Sequence, residues 1–201
     1  MKKLLFPGLS LFAITLMSFA LSELPIGADL PKADRKMKDV TGKDISLKEA
    51  TKKNGLLVMF SCNTCPFVIK NQDRTNDISK FALNTEVGVV IVNSNEGMRS
   101  GDDSFEAMQK YAKSQSYQWN YVVDTNAELA DAFGAKRTPE AFLFDSKGKL
   151  VYHGAIDDNP SDASSVSRYH LKEAISEMVS GKDITVKTSR SVGCSIKRPK
   201  S

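Results

Sequence analysis

The sequence predicts an α/β fold in which a central mixed sheet is flanked by helices. Short apolar runs rich in β-branched residues alternate along the chain with amphipathic helical patterns, which is typical of parallel strands joined by helices. Further along, two apolar runs flank a turn signal at residues 145–149, which predicts an antiparallel hairpin at the edge of the sheet. Without the apolar N-terminal segment, roughly 180 of the 201 residues remain, enough to bury a core and to form one domain.

The first 22 residues predict an exported protein. A basic start, MKK, is followed by an apolar stretch and by small residues at Ala20 and Ser22, the order typical of a secretory signal peptide. The apolar stretch is also long enough for an uncleaved anchor, which is the alternative. We therefore expect an exported protein, periplasmic in a bacterium, that meets the membrane only if this segment is not cleaved.

The chain divides into four predicted regions. Residues 1–22 form the leader, 23–36 an extended arm, 37–182 the folded domain and 183–201 a basic C-terminal tail. The formal net charge is +4, and the basic residues of the tail are Lys187, Arg190, Lys197, Arg198 and Lys200. The folded region is close to neutral, so we expect no nucleic-acid partner.

The first elements after the arm are a small hairpin, a short helix and a buried strand. Residues 41–44 form a turn signal between short alternating runs, which predicts the hairpin. Ser46 followed by Glu49 is a capping box for a helix that ends near Gly55. The continuous apolar run at residues 56–60 has the length of a buried parallel strand.

A long helix and a second buried strand follow. The helix is expected to run from Cys65 to about Leu83, and residues 87–92, rich in β-branched side chains, predict the strand. The predicted inward stripe of the helix consists of Val68, Ile69, Ile78, Phe81 and Ala82. Asp103 with Glu106 is expected to cap the next helix.

The remaining elements are a third strand, a short helix, the hairpin and a final helix. Residues 121–123 predict the strand, and Thr125 with Glu128 is expected to cap a short helix that Gly134 ends. The hairpin strands are expected at residues 141–144 and 150–152, and the final helix ends at Gly181.

Cys62 and Cys65 lie in the string SCNTCPF, where the first buried strand feeds a helix. Pro66 fits the first turn of that helix, where no N–H is needed. The unpaired N–H groups and the dipole of a helix N-terminus favour a thiolate, so we expect Cys62 to attack disulfides and Cys65 to resolve the mixed disulfide. The predicted redox group is a Cys62–Cys65 disulfide, with no added cofactor.

Two other uses of this cysteine pair are less favoured. A structural zinc site needs four ligands, and the chain offers only the scattered Cys194, His153 and His170 besides the pair. A purely structural disulfide of this spacing contributes little, because closing a four-residue ring is worth roughly 2 kcal/mol in the entropic model. We therefore expect no metal.

Thr138 and Pro139 directly precede the first strand of the predicted hairpin. A proline at this position cannot donate to a β-ladder, and in the cis form it exposes the backbone groups of Thr138 to a docking molecule. An extended substrate can then pair there by strand addition. An ordinary trans turn proline is the alternative.

The strings SCNTCPF, AKRTPEAFLFD, KLVYHGAIDDN and VGCSIK together resemble a group of exported thioredoxin-like proteins of the redoxin type. The resemblance implies a thioredoxin-like domain over residues 37–182, with an insert at 93–120 and the proline in cis beside the thiols. Two departures stand out: Ser61 replaces the tryptophan usual in thioredoxins, and residues 56–60 carry no buried acid. Proton handling therefore has no assigned residue.

The sequence also gives expectations for the acidity of Cys62 and for the role of Cys194. A helix N-terminus contributes up to ~2 kcal/mol, and no cation lies nearby in the sequence, so we expect a moderately lowered pKa for the Cys62 thiol. Cys194 is left over if the first two cysteines pair. We expect a structural or accessory role, with a second resolving thiol as the alternative.

The expected function is a thiol–disulfide oxidoreductase that exchanges disulfides with protein thiols and takes electrons from a donor that the sequence does not identify. A peroxiredoxin-like peroxidase is an alternative, although the positions of its usual Thr and Pro before the reactive cysteine hold Met59 and Gly55. A copper-binding chaperone with His153 as third ligand is the other alternative.

Overall fold

The computed structural model describes residues 23–199. The predicted leader at residues 1–22 lies outside the described residues. The strands of the described residues are β1 (Met37–Lys38), β2 (Asp44–Ile45), β3 (Gly55–Ser61), β4 (Val87–Asn93), β5 (Asn120–Val123), β6 (Arg137–Thr138), β7 (Glu140–Phe144), β8 (Leu150–Gly154) and β9 (Cys194–Ser195). The helices are α1 (Leu47–Ala50), α2 (Pro66–Lys70), α3 (Gln72–Asn84), α4 (Phe105–Ser114), α5 (Glu128–Phe133) and α6 (His170–Val179).

The core of the fold is a five-stranded mixed sheet in the order β5-β4-β3-β7-β8. Its central strand, β3, runs parallel to β4 and antiparallel to β7, with Met59 opposite Ile91 on one side and Ala141 on the other. Every residue of β3 is buried because both faces of the sheet are covered. The α/β fold with an antiparallel edge, predicted from the alternating pattern, is confirmed.

The two faces of the sheet bury different clusters of side chains. Leu57 and Met59 of β3 point into a cluster that includes residues of α3 and α6. Leu56, Val58 and Phe60 point to the opposite face, where residues of α5 pack. This alternation follows from the period of two along a strand.

The N-terminal elements agree with the sequence pattern, apart from one helix end. β1 and β2 pair antiparallel around the predicted turn, and Ser46 and Glu49 form both hydrogen bonds of a capping box. The helix α1 ends at Ala50, earlier than predicted, because Thr51 has an extended backbone. Gly55 is already the first residue of β3.

The long helix predicted from Cys65 to Leu83 is two helices, α2 and α3, that meet at Asn71. The Asn71 side chain donates to the carbonyl oxygens of Phe67 and Pro160, at 2.7 and 2.9 Å. The bond to Phe67 stays within α2, and the bond to Pro160 ties the junction to the loop before α6. The prediction that Ile69 lies inward is wrong, since 56% of it is exposed, whereas Val68 is buried.

The N-termini of two helices are capped by residues other than those predicted. Ser104, not Asp103, caps α4, with its hydroxyl accepting from Ala107 N. Asp124, not Thr125, accepts from the second and third backbone N–H groups of α5, those of Leu129 and Ala130, each at 2.9 Å. A carboxylate one residue earlier satisfies these groups as well as a threonine would. The predicted end of α5 at Gly134, in the left-handed conformation, is confirmed.

The segment after α6 returns across the molecule toward β3. It runs beside β8, where the N–H of His153 donates to Lys187 O and that of Ser189 donates to His153 O, both at 3.0 Å. β9 then pairs antiparallel with β6. Between residues 23 and 199, no helix has the length and apolar character needed to cross a bilayer.

Candidate redox site

The site begins where the central strand ends. Cys62 follows the last residue of β3, and Cys65 is the N-cap of α2, with Pro66 as the first helical residue. Cys62 and Cys65 are both buried, at 1% and 5% exposure. The structure therefore brings the two cysteines of SCNTCPF together at a strand-to-helix junction.

Cys194 lies at the same place, brought there by the C-terminal segment. A disulfide joins it to Cys65, with a Cα–Cα distance of 6.1 Å, and Cys62 is a free thiol. This differs from the expected Cys62–Cys65 pairing. The reason is the pairing of β9 with β6, which sets Cys194 opposite Thr138 and so beside Cys65.

Thr138 contacts the sulfur atoms of both cysteines of the CxxC string. Its hydroxyl lies 3.5 Å from Cys62 Sγ, and its carbonyl oxygen lies 3.4 Å from Cys65 Sγ. The Thr138–Pro139 peptide bond is cis. Thr138 thus contacts Cys62 and Cys65 and pairs with Cys194, and the role of Thr138 and Pro139 in binding a substrate stays a prediction.

The surroundings of Cys62 raise the pKa of its thiol, contrary to the expectation of a moderately acidic group. Burial is the largest cause, and the negative charge of Asp103 adds to it. The hydroxyl of Thr138 and the backbone N–H groups of Cys65 and Thr64 lower the pKa, but by less. The helix that was expected to acidify the thiol, α2, has only five residues, so its dipole is weak.

Asp103 is a functional candidate that the sequence pattern does not reveal, because its place before a helix predicts only a cap. It is fully buried. Its Oδ1 accepts from the backbone N–H of Asn63 at 2.9 Å and from Asn93 Nδ2 at 2.7 Å, and its Oδ2 accepts from Asn95 Nδ2 at 2.9 Å. Since Asn63 follows Cys62 directly, the insert supplies the buried acid that β3 lacks.

A sequence signal for this network exists in the polar run Asn93-Ser94-Asn95. The run lies at the carboxyl end of β4, and β4 is parallel to β3, with Asn93 opposite Ser61. Parallel neighbours end at the same edge of a sheet, so this run had to lie beside the cysteines. The hydroxyl of Tyr121 completes the network by donating to Asn63 Oδ1 at 2.8 Å.

Glu140 fixes the loop that carries Thr138. Its Oε2 accepts from the backbone N–H groups of Lys136 and Arg137, at 2.7 and 2.8 Å, and its Oε1 lies 2.8 Å from His153 Nε2. Burial alone raises the pKa of the Glu140 carboxyl, but the hydrogen bonds from His153, Arg137 and Lys136 outweigh it and lower the pKa.

His153 is therefore bound to Glu140 and stacked on Phe142, with ring centroids 4.3 Å apart, rather than being directed at the thiols. Within residues 23–199, no three His, Cys, Asp or Glu side chains are arranged to hold a metal ion. The geometry gives no support to His153 as a copper ligand.

A mixed sheet whose central strand leads into a CxxC string beside a cis-proline defines a thioredoxin-like protein. The sequence model of the Redoxin family matches residues 25–169. The chain belongs to this family, as the resemblance of its motifs implied, and membership supports oxidoreductase activity in general. Among the curated proteins, none is similar enough in sequence to match.

Solved structures share the fold over most of the chain. An uncharacterized conserved protein from Geobacillus kaustophilus has a TM-score of 0.82 at 31% identity, covering 88% of this chain and 94% of its own. A hypothetical protein from Sinorhizobium meliloti has a TM-score of 0.81 at 29% identity, covering 90% and 98%. The thioredoxin domain of a thiol-disulfide oxidoreductase from Bacteroides vulgatus has a TM-score of 0.55 at 19% identity, covering 66% and 90%.

Proposed function

We propose that this protein is an exported thiol–disulfide oxidoreductase that reduces or exchanges disulfides in protein substrates. The observation that carries the proposal is the gathering of all three cysteines around Thr138, with one disulfide and one free thiol among them. Thiol–disulfide exchange requires a thiolate that can reach a disulfide sulfur, and here a free thiol and a disulfide line one pocket.

The proposed reaction starts from the fully reduced chain. The thiolate of Cys62 attacks one sulfur of a client disulfide, forming a mixed disulfide and releasing the other client sulfur as a thiol. Cys65 then attacks Cys62 Sγ, which releases the second client thiol and leaves a Cys62–Cys65 disulfide. The client has gained two electrons and two protons, and the chain has lost them.

Cys194 adds a third exchange, within the chain. Its thiolate attacks Cys65 Sγ, the Cys62–Cys65 bond breaks, and the Cys65–Cys194 bond forms while Cys62 recovers its proton. No electrons enter or leave in this step. The result is the state of the structure, in which Cys62 is free, and an external dithiol reduces the Cys65–Cys194 bond to complete the cycle.

Two features support export. The basic and apolar start of the sequence is typical of a signal peptide. A disulfide such as Cys65–Cys194 persists most readily in an oxidising compartment.

Single substitutions of the three cysteines test the proposal. With dithiothreitol as reductant and a protein disulfide such as that of insulin as client, Cys62→Ser should abolish reduction. Cys65→Ser should accumulate a mixed disulfide between Cys62 and the client, visible as a mass increase that reductant removes. Cys194→Ser is the matched control, since it keeps the CxxC pair and should retain exchange.

An unaffected Cys62→Ser variant rejects the proposal. Rapid consumption of hydrogen peroxide by the wild-type chain, with no reduction of disulfides, would favour the peroxidase alternative instead.

A further inference from the structure

The C-terminal segment lies in a two-sided groove beside the cysteines. On one side, Ile196 N donates to Lys136 O at 3.1 Å, next to the β6–β9 pairing. On the other side, Lys197 N donates to Asn95 Oδ1 at 2.8 Å, and Gly97 N donates to Lys197 O at 2.8 Å. The segment thus contributes only its own main-chain groups to these bonds, as an added strand does, and any extended peptide can provide the same groups.

The side chains of this strand alternate between the groove and solvent. Cys194 reaches Cys65, Ser195 is exposed, and Ile196 is buried at 6% exposure in the cluster on the α5 face of the sheet. Arg198 completes the pattern, with its guanidinium donating to Asp131 Oδ1 at 2.7 Å. Such alternate pockets are what give strand-addition sites their sequence preference.

The residue before the cysteine has no room for a side chain. A Cβ on Gly193 would overlap the carbonyl oxygen of Thr138. The exposed Arg137 side chain also binds this residue, with its Nη1 donating to Gly193 O at 3.1 Å. The groove therefore selects for glycine, then cysteine, then a branched aliphatic residue two positions later.

We propose that this groove is the client-binding site and that residues 193–198 are its resident occupant, a built-in copy of the client sequence. The inference rests on the proposed function and names its substrate class: extended polypeptides of the pattern Gly-Cys-x-Ile, whose cysteine is in a disulfide. A tethered segment competes at a high effective concentration, so the tail limits access until a matching client displaces it.

The covalent step at this site is balanced. The client cysteine takes the place of Cys194 in the pocket that Cys62 and Cys65 line together, and the Cys62 thiolate attacks its sulfur. The Cys62–client bond forms as the client disulfide breaks, and the departing thiolate takes up the proton that Cys62 gave up. Cys65 then attacks Cys62 Sγ and releases the client thiol. The tail returns to the groove, and the Cys194 thiolate attacks Cys65 Sγ, so that the Cys65–Cys194 disulfide forms and Cys62 is again a thiol.

The test compares three disulfides as substrates of the full-length protein, with dithiothreitol as reductant. The first is a peptide with the sequence of residues 190–199, its cysteine in a mixed disulfide with glutathione. The second is the same peptide with an aspartate replacing the isoleucine that corresponds to Ile196. The third, glutathione disulfide, is too small to use the groove. We expect KM to be about tenfold lower or more for the first peptide than for the second, with similar kcat.

A matched pair of variants tests the role of the tail itself. Gly193→Ala should displace the tail from Thr138 and lower KM for the first peptide by about fivefold, whereas KM for glutathione disulfide should change less. Gly101→Ala is the control, because a Cβ there meets no atom closer than 3.9 Å, and it should change neither.

The outcomes separate this inference from the function on which it depends. Equal KM values for the two peptides, with reduction of glutathione disulfide intact and dependent on Cys62, overturn the client groove alone. Absence of any Cys62-dependent reduction, including that of glutathione disulfide, overturns the proposed function and the groove together. The peptide comparison uses the wild-type chain, so it decides the question even if Gly193→Ala does not fold.

Discussion

Cys65 and Cys194 are separated by 129 positions in the sequence and are joined by a disulfide. In the entropic model, closing a ring of this size restricts the unfolded chain by roughly 5 kcal/mol, against roughly 2 kcal/mol for the four-residue ring of a Cys62–Cys65 bond. The two possible disulfides of this site therefore differ in what they contribute to stability. The exchange proposed between them leaves the oxidation level of the chain unchanged and couples the position of the disulfide to the docking of the C-terminal segment.

Peptide mapping of the oxidised protein checks the disulfide. After alkylation in denaturant without reductant, trypsin should give residues 54–70 cross-linked to residues 191–197, because each peptide holds cysteines of the site. Fragmentation should locate the alkyl group on Cys62. Recovery of the peptide 191–197 uncrosslinked, with Cys194 alkylated, would contradict the structure.

Removing the long-range disulfide should destabilise the fold. Without reductant, Cys194→Ser is expected to lower the free energy of unfolding by about 2–5 kcal/mol, measured by urea denaturation. Cys62→Ser is the control, since it leaves the Cys65–Cys194 bond in place, and it should cost less. In excess dithiothreitol the wild type should lose most of its advantage over Cys194→Ser, and an undiminished difference counts against the prediction.

The reaction of Cys62 with iodoacetamide should require alkaline pH. In the oxidised protein Cys62 is the free thiol, and burial together with the charge of Asp103 raises its pKa. The thiolate is the reactive form, so the rate should reach half its maximum above the ordinary value of about 8.5. A midpoint well below neutrality would refute this expectation.

Asp103→Asn should shift that midpoint to lower pH. The substitution removes the negative charge that disfavours the Cys62 thiolate. It also places an amide group against the amide of Asn95, and the loss of this hydrogen bond should lower the free energy of unfolding by about 1–3 kcal/mol. Asp102→Asn is the matched control, one residue away on an exposed side chain. If both variants alkylate with the wild-type pH profile, Asp103 does not act on the thiol.

Glu140→Gln should weaken the loop before Pro139 in a pH-dependent way. The pKa of Glu140 is lowered in the folded protein, so its carboxylate stabilises the fold above its unfolded pKa, about 4.3, and this contribution is lost as pH falls through the folded value. At neutral pH the variant should be less stable by about 1–3 kcal/mol. Urea denaturation should show the gap closing in acid, whereas a constant gap would argue that the charge is irrelevant.

The sequence predicts the sheet well because its signals are local. The run Val87 to Val92 and the apolar residues of β3 are buried on both faces, and continuous apolar runs indicate that environment directly. The break at Asn71 was not predictable in this way, since its side chain donates to the carbonyl oxygen of Pro160, a residue 89 positions away.

The site was predictable only in part, for the same reason. The placement of Cys62 and Cys65 follows from the strand-to-helix pattern around them, whereas the partner of Cys65 depends on the pairing of β9 with β6. The role of Asp103 depends on the parallel alignment of β3 and β4. Both relationships are long-range. The sequence carries no direct signal for the pairing of β9 with β6, and for the Asp103 network its signal is the polar run Asn93-Ser94-Asn95 at the end of β4.

Asp103, whose negative charge helps to raise the pKa of the Cys62 thiol, lies in a loop and not in the strand that leads to the thiol. This position decides which parts of the protein can change independently. Asp103 can be exchanged without repacking the sheet, because it is bound to backbone and amide groups rather than to the apolar clusters. A change in this loop can therefore alter the pKa of the Cys62 thiol while the apolar clusters of the sheet stay in place.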